Sequence, residues 1–140
     1  MTKAKLLGLA VLLGLAATSA VNAQIITVPT DLEPGDEYRL VFITKDKIFK
    51  AESSSISDYD GHVTSQANMS PVLAEIDTNW RVIGSTSAVA AKVHTDTDDS
   101  PLGPTGVPIY RLDGLRIASD YDDLWDGNIQ HPLYIAQDGS

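Results

Sequence analysis

The chain contains no cysteine. That absence excludes a disulfide framework, a thiolate metal site, a cysteine nucleophile and an acylated lipoprotein cysteine, so stability has to come from packing. Basic residues are scarce as well: 10 Lys and Arg stand against 19 Asp and Glu, for a net charge of −9 at pH 7. Nucleic acid and anionic lipid both require basic patches that this balance does not supply, so neither is expected as a partner. Past residue 23 no apolar run approaches the ~20 residues of a membrane-spanning helix. The mature chain is therefore expected to be soluble, without membrane insertion. Also missing are an H-E-x-x-H motif, histidines paired on one helix face, and a G-x-S-x-G elbow. No zinc site and no positioned hydrolase nucleophile follow from such a sequence, and it offers no catalytic residue.

What is present starts at the N-terminus. Lys3 and Lys5 precede residues 6–17, which are apolar apart from Gly8 and Gly14. Val21-Asn22-Ala23 then supplies the small-residue pattern of a signal-peptidase site, and the apolar run is too short for an anchor. Residues 1–23 thus read as a signal peptide cleaved after Ala23, giving a secreted or cell-surface product that starts at Gln24. Loss of Lys3 and Lys5 makes that product more acidic still. Residues 24–140 have the length of a single domain, with enough chain to bury a core.

Along that domain, residues 25–28 are a short β-branched run stopped by Pro29, and residues 33–36 (Glu-Pro-Gly-Asp) form a turn. Residues 38–44 are apolar on both alternating faces except for Arg39, which predicts a central strand covered on both sides. After a charged loop, Ser53, Ser54 and Ser55 offer N-caps for a helix carrying Ile56, Tyr59 and Val63 inward, weakened by Gly61. Ser70-Pro71 starts a second helical piece with Val72, Leu73 and Ile76. Residues 80–83 resume strand character, and residues 84–106 read as a long polar surface loop, the kind of segment that often carries function.

Asp113-Gly114, between residues 109–112 and 115–118, is a strong hairpin signal. A two-residue turn there sets Leu112 opposite Leu115, Arg111 opposite Arg116 and Tyr110 opposite Ile117. The leucines, Tyr110 and Ile117 would share the apolar face, and the two arginines would meet on the other with a carboxylate offsetting them. A helical turn capped by Ser119 or Asp120 and closed at Gly127 follows, then a last strand over residues 129–135 interrupted by Pro132.

Asp96, Asp98 and Asp99, and then Asp120, Asp122, Asp123 and Asp126, are clusters of hard oxygen ligands, which makes them calcium candidates. Neither matches the D-x-[DN]-x-[DN]-G loop with its distal Glu; the competing reading is a solvated acidic face whose aspartates cap turns. Beyond that candidate calcium, no cofactor is expected. His62, His94 and His131 lie in unrelated contexts, and His62 and His94 read as solvated side chains. Trp125 reads as a core residue in preference to a sugar-stacking platform.

The succession YRLVFIT, SISDYDGHVTSQAN, NWRVIGSTSAVAAKVHTDTDD and GVPIYRLDGLRIASDYDDLWDGNIQHPLYI, spanning residues 38–135, resembles the N-terminal part of uncharacterised secreted bacterial proteins that often end in a PEP-CTERM sorting signal. It is also similar to secreted bacterial domains of unknown function related to the C-type-lectin and endostatin-like fold. The matching positions are Val41-Phe42-Ile43-Thr44, Asn79-Trp80, Leu112-Asp113-Gly114 and Asp123-Leu124-Trp125-Asp126-Gly127. The chain departs from the lectins in lacking cysteines and the E-P-N and W-N-D calcium motifs, so no sugar specificity is implied. Because the family pattern continues past the hairpin, the chain is expected to be a truncated domain or gene fragment. Together these readings predict a compact single α+β domain, C-type-lectin-like, with a mostly antiparallel sheet and one or two helices. The expected function is a non-catalytic binding or structural module of the cell surface or extracellular matrix, with extracellular glycan or other surface proteins as partners. The alternative is a secreted hydrolase acting on polysaccharide or peptide, which would need two carboxylates about 5 to 9 Å apart.

Overall fold

The structure, a computed structural model, describes residues 24–45, 52–98 and 106–140. Its elements in chain order are β1 (Arg39–Val41), α1 (Ile56–Ala67), α2 (Pro71–Ala74), α3 (Ala91–His94), β2 (Ile109–Arg111), β3 (Arg116–Ala118) and α4 (Tyr121–Trp125). The α+β class is as expected. The sheet is mixed and not mostly antiparallel: in the order β1-β2-β3, β1 pairs with β2 in parallel and β2 with β3 antiparallel. The reason is connectivity, since parallel neighbours need a crossover and here α1 to α3 supply it. Four helical segments, not one or two, lie among the described residues because α3 sits inside the predicted 84–106 loop.

Local chemistry explains the elements. α1 runs through Gly61, whose absent side chain faces open space, and its first turn is braced by Ser53 Oγ on Asp58 (2.6 Å) and Tyr59 OH on the Ser53 carbonyl (2.8 Å). Ser70 caps α2 by accepting from Leu73 N, with Pro71 in the first turn. Asp120 caps α4 by accepting from Asp123 N at 2.9 Å, and Gly127, at φ +90°, follows it. Residues 25–28 and 80–83 do not form the predicted strands. Side chains of α1 take up the second segment instead: Val82 N donates to Asp60 Oδ1 (2.9 Å) and Thr64 Oγ1 to the Trp80 carbonyl (3.4 Å). Of the last predicted strand only a bridge remains, Ile43 to Ala136, parallel.

Period-two alternation along β1 places the core on both faces of the sheet. Val41 joins Ile109, Ile117 and Ala118, backed by Tyr121, Leu124 and Leu133. Leu40 and Phe42 turn the other way, onto Ala67, Leu73, Leu112 and Ile135, where Trp80 meets Phe42 edge-on at 5.0 Å.

The hairpin lies where the sequence puts it, with a different register. Gly114 N donates to the Arg111 carbonyl (3.0 Å) and Arg111 N to the Leu115 carbonyl (2.9 Å), so three residues close the turn. Gly114 alone is left-handed there, at φ +81°. A two-residue type I′ turn would need Asp113 left-handed too; a turn closed by one left-handed glycine shifts the pairing by one. Tyr110 therefore faces Arg116, and the register slips back to Ile109 opposite Ala118. Arg111 and Arg116 do not meet. Leu112 is fully buried while Leu115 is 43 % exposed, so they do not share a face.

Candidate binding cleft beside β1

Among the described residues β1 is the outer strand of the sheet, paired on one of its sides. Arg39 N donates to the Pro108 carbonyl and Ile43 N to the Ile135 carbonyl, both at 2.9 Å. By the same alternation Leu40 and Phe42 point their backbone groups away from β2, and no strand among the described residues lies on that side. A cavity of about 930 Å³ runs along this edge. Phe42, Trp80 and Ile76 form one wall, Leu124 and Leu133 the other, and Val28 and Ile83 add apolar lining that is largely exposed.

The charged lining among the described residues is Arg39, Arg81 and Asp96. Arg39 donates to Tyr121 OH (2.8 Å) and to the carbonyls of Thr95 (2.6 Å) and Asp96 (3.2 Å), with its guanidinium 5.1 Å from the Tyr121 ring centre. All three acceptors are uncharged. Arg81 reaches the His94 carbonyl (2.8 Å) and the Asp96 carboxylate (2.5 Å). Asp96 holds φ +52°, the only left-handed non-glycine among the described residues. Its strain is over-determined by the two arginines on its carbonyl and carboxylate.

His94 is not solvated as expected: its Nε2 lies 2.9 Å from Asp60 Oδ1 in a pair that is mostly covered. Asp60 thereby joins α3 to α1 and holds Val82 as well. Trp125 is 40 % exposed and not a core residue; its indole donates to Thr97 Oγ1 at 2.9 Å, tying α4 to the loop that carries Asp96. His131 Nδ1 lies 2.7 Å from the Arg116 carbonyl.

Asp96, Asp98, Asp120, Asp123 and Asp126 each have local work. Asp120 caps α4, and Asp126 Oδ1 accepts from Asn128 N (2.7 Å). Asp123 Oδ2 accepts from Ser119 N (2.7 Å) and Gln130 Nε2 (2.6 Å), bonds that hold its carboxyl below the usual range. Asp96 pairs with Arg81 and Asp98 with Lys92 at 3.1 Å; Asp122 is exposed, and Asp99 lies outside the described residues. Among the described residues no three His, Asp or Glu side chains gather around a common metal position.

A second polar centre lies under the hairpin. Arg111, 1 % exposed, forks onto Asp113 (3.0 and 2.6 Å), donates to the Pro132 carbonyl and lies 4.3 Å from the Tyr134 ring centre. An acidic partner was expected for two facing arginines; since they do not meet, the turn supplies one to Arg111 alone. Burial alone would raise the Asp113 pKa, but the Arg111 hydrogen bonds and charge, together with the Leu115 N–H, outweigh it and lower it.

Sequence reasoning did not find the cleft. Its signals were the two-sided apolar character of residues 38–44 and the apolar run at Trp80, both read only as strands. Comparison with protein-family models, curated proteins and solved structures gives no match to this chain. What fold and site define is a small α+β domain with a lined cleft on an open strand edge.

Proposed function

We propose that the chain is an exported, non-catalytic binding module that holds its ligand in the cleft beside β1. The observation that carries this reading is the cavity of about 930 Å³ with aromatic and aliphatic walls and two arginines in its lining, a size and character suited to ligand recognition. The C-type-lectin-like relationship implied by the residue pattern belongs to the same proposal. So do location at the cell surface or in the extracellular matrix, and a glycan or surface protein as the partner. Export is supported by the basic start, the apolar stretch and the Val21-Asn22-Ala23 site, and N-terminal sequencing of the exported product should begin at Gln24.

Binding is tested with the Trp125→Phe variant, which leaves Trp80 in the cleft wall as the sole indole. Titration with oligosaccharides and with extended peptides should shift its emission, and Ile83→Glu, at a side chain 49 % exposed in the cleft lining, should remove the shift without unfolding the chain. Turnover of polysaccharide or peptide by the purified chain would overturn the non-catalytic reading in favour of a hydrolase.

A further inference from the structure

We propose that the occupant of the cleft is an extended, apolar peptide strand from another polypeptide, carrying an acidic residue, which adds to the free edge of β1; this rests on the binding-module reading above. The first argument is backbone chemistry. Leu40 and Phe42 turn N–H and C=O groups toward the cleft at strand spacing, and such a row is complementary to another strand. Sugar hydroxyls do not reproduce that regular alternation of donor and acceptor.

The second argument is the mismatch between β1 and its position. Outer strands are protected by short length, charges, proline, bulges or a covering element. β1 is short and begins with Arg39, but from Leu40 to Ile43 the chain carries no charge or proline and is apolar on both faces, as in a strand with neighbours on both sides. A strand laid about 4.8 Å from β1 would send alternate side chains against Phe42 and Trp80 on one side and Leu124 and Leu133 on the other. Its sequence must therefore be apolar at successive positions, over about six residues or 20 Å.

Charge fixes the third property. Among the described residues of the cleft lining, Arg39 and Arg81 face the single carboxylate Asp96, which Arg81 engages, while the acceptors of Arg39 are neutral. The excess is one positive charge on an otherwise acidic molecule, and an acidic group on the peptide would balance it. A second copy of this chain fits poorly, because its β1 edge lies behind the same two walls.

The test uses a synthetic peptide with a six-residue valine and tyrosine core, a glutamate at one end and solubilising lysines at the other. It is titrated into the full exported chain by Trp80 fluorescence in the Trp125→Phe background. N-methylation of alternate residues blocks one edge of a strand and leaves the other intact. One N-methylated isomer should bind at least tenfold more weakly than the parent and the complementary isomer within twofold of it; glutamate→glutamine in the peptide should weaken binding about threefold. Equal binding by both isomers would overturn strand addition yet leave the cleft a binding site. So would a response to oligosaccharide alone. No response to either ligand would overturn both readings, and a concentration-dependent dimer that the peptide dissociates would make a second copy the occupant.

Discussion

Arg111 shows how one side chain can close a hairpin against the rest of a fold. It is buried and always charged, and its donors are used by Asp113, the Pro132 carbonyl and Tyr134. Arg111→Met would leave the Pro132 carbonyl and the Asp113 carboxylate without their partner, and urea unfolding should show a loss of about 3 kcal/mol. Lysine in its place should recover only a small part, because it cannot make the fork. Asp138 offers a milder case. Its exposed carboxylate meets Lys45 at 2.7 Å, and that bond, with the Ser140 hydroxyl, lowers its pKa from 3.8 to about 2. A lowered carboxylate stabilises the fold fully above its unfolded value, so this contribution is lost as the pH falls from 3.8 toward 2. NMR titration should place the Asp138 midpoint near 2, and Lys45→Met should move it back toward 3.8. A carboxylate was expected because two arginines were to face each other; they do not meet, and Asp113 answers the buried charge of Arg111 alone. His94 with Asp60 was not legible, since the pair joins two helices across a loop that local spacing does not describe.

Among the elements, those fixed by local chemistry were legible and those fixed by distant partners were not. The Ser70-Pro71 start, the Asp120 cap and the Asp113-Gly114 turn are all present. Residues 80–83 have strand composition, but Asp60 and Thr64 reach their backbone first. Turn geometry accounts for the shifted hairpin register, and Gly114 tests it. An added Cβ would meet Ile26 Cδ1 at 3.2 Å on a backbone at φ +81°. Gly114→Ala should therefore cost about 1 kcal/mol or more, read by thermal melting, through left-handed strain together with that contact. Cross-strand contacts of Tyr110 with Arg116, and none between Arg111 and Arg116, would verify the register by NMR.

At the scale of the whole molecule, the α+β class and the two-faced core could be read from the alternation of apolar residues. The mixed sheet could not, because nothing local says that residue 39 pairs with residue 109. The acidity is spread over caps and ion pairs: Asp120, Asp123 and Asp126 serve the α4 region while Asp96 and Asp98 answer Arg81 and Lys92. Millimolar calcium is therefore expected to change the melting temperature no more than magnesium does. A calcium-specific rise, abolished by Asp122→Asn together with Asp123→Asn, would show instead that these carboxylates regroup around the ion.

The parallel pairing of β1 also governs when the fold can form. Arg39 to Val41 find their neighbours only at Ile109 to Arg111, and Ile43 only at Ala136, so the first strand of the sheet is completed by residues far along the chain. Closing such long loops is slow, on the scale of milliseconds to seconds for domains of non-local topology. β1 has no neighbour in the sheet until residues 109–111 are in place. Formation of the sheet therefore waits on residues 109–136, however early the local helices and turns take shape.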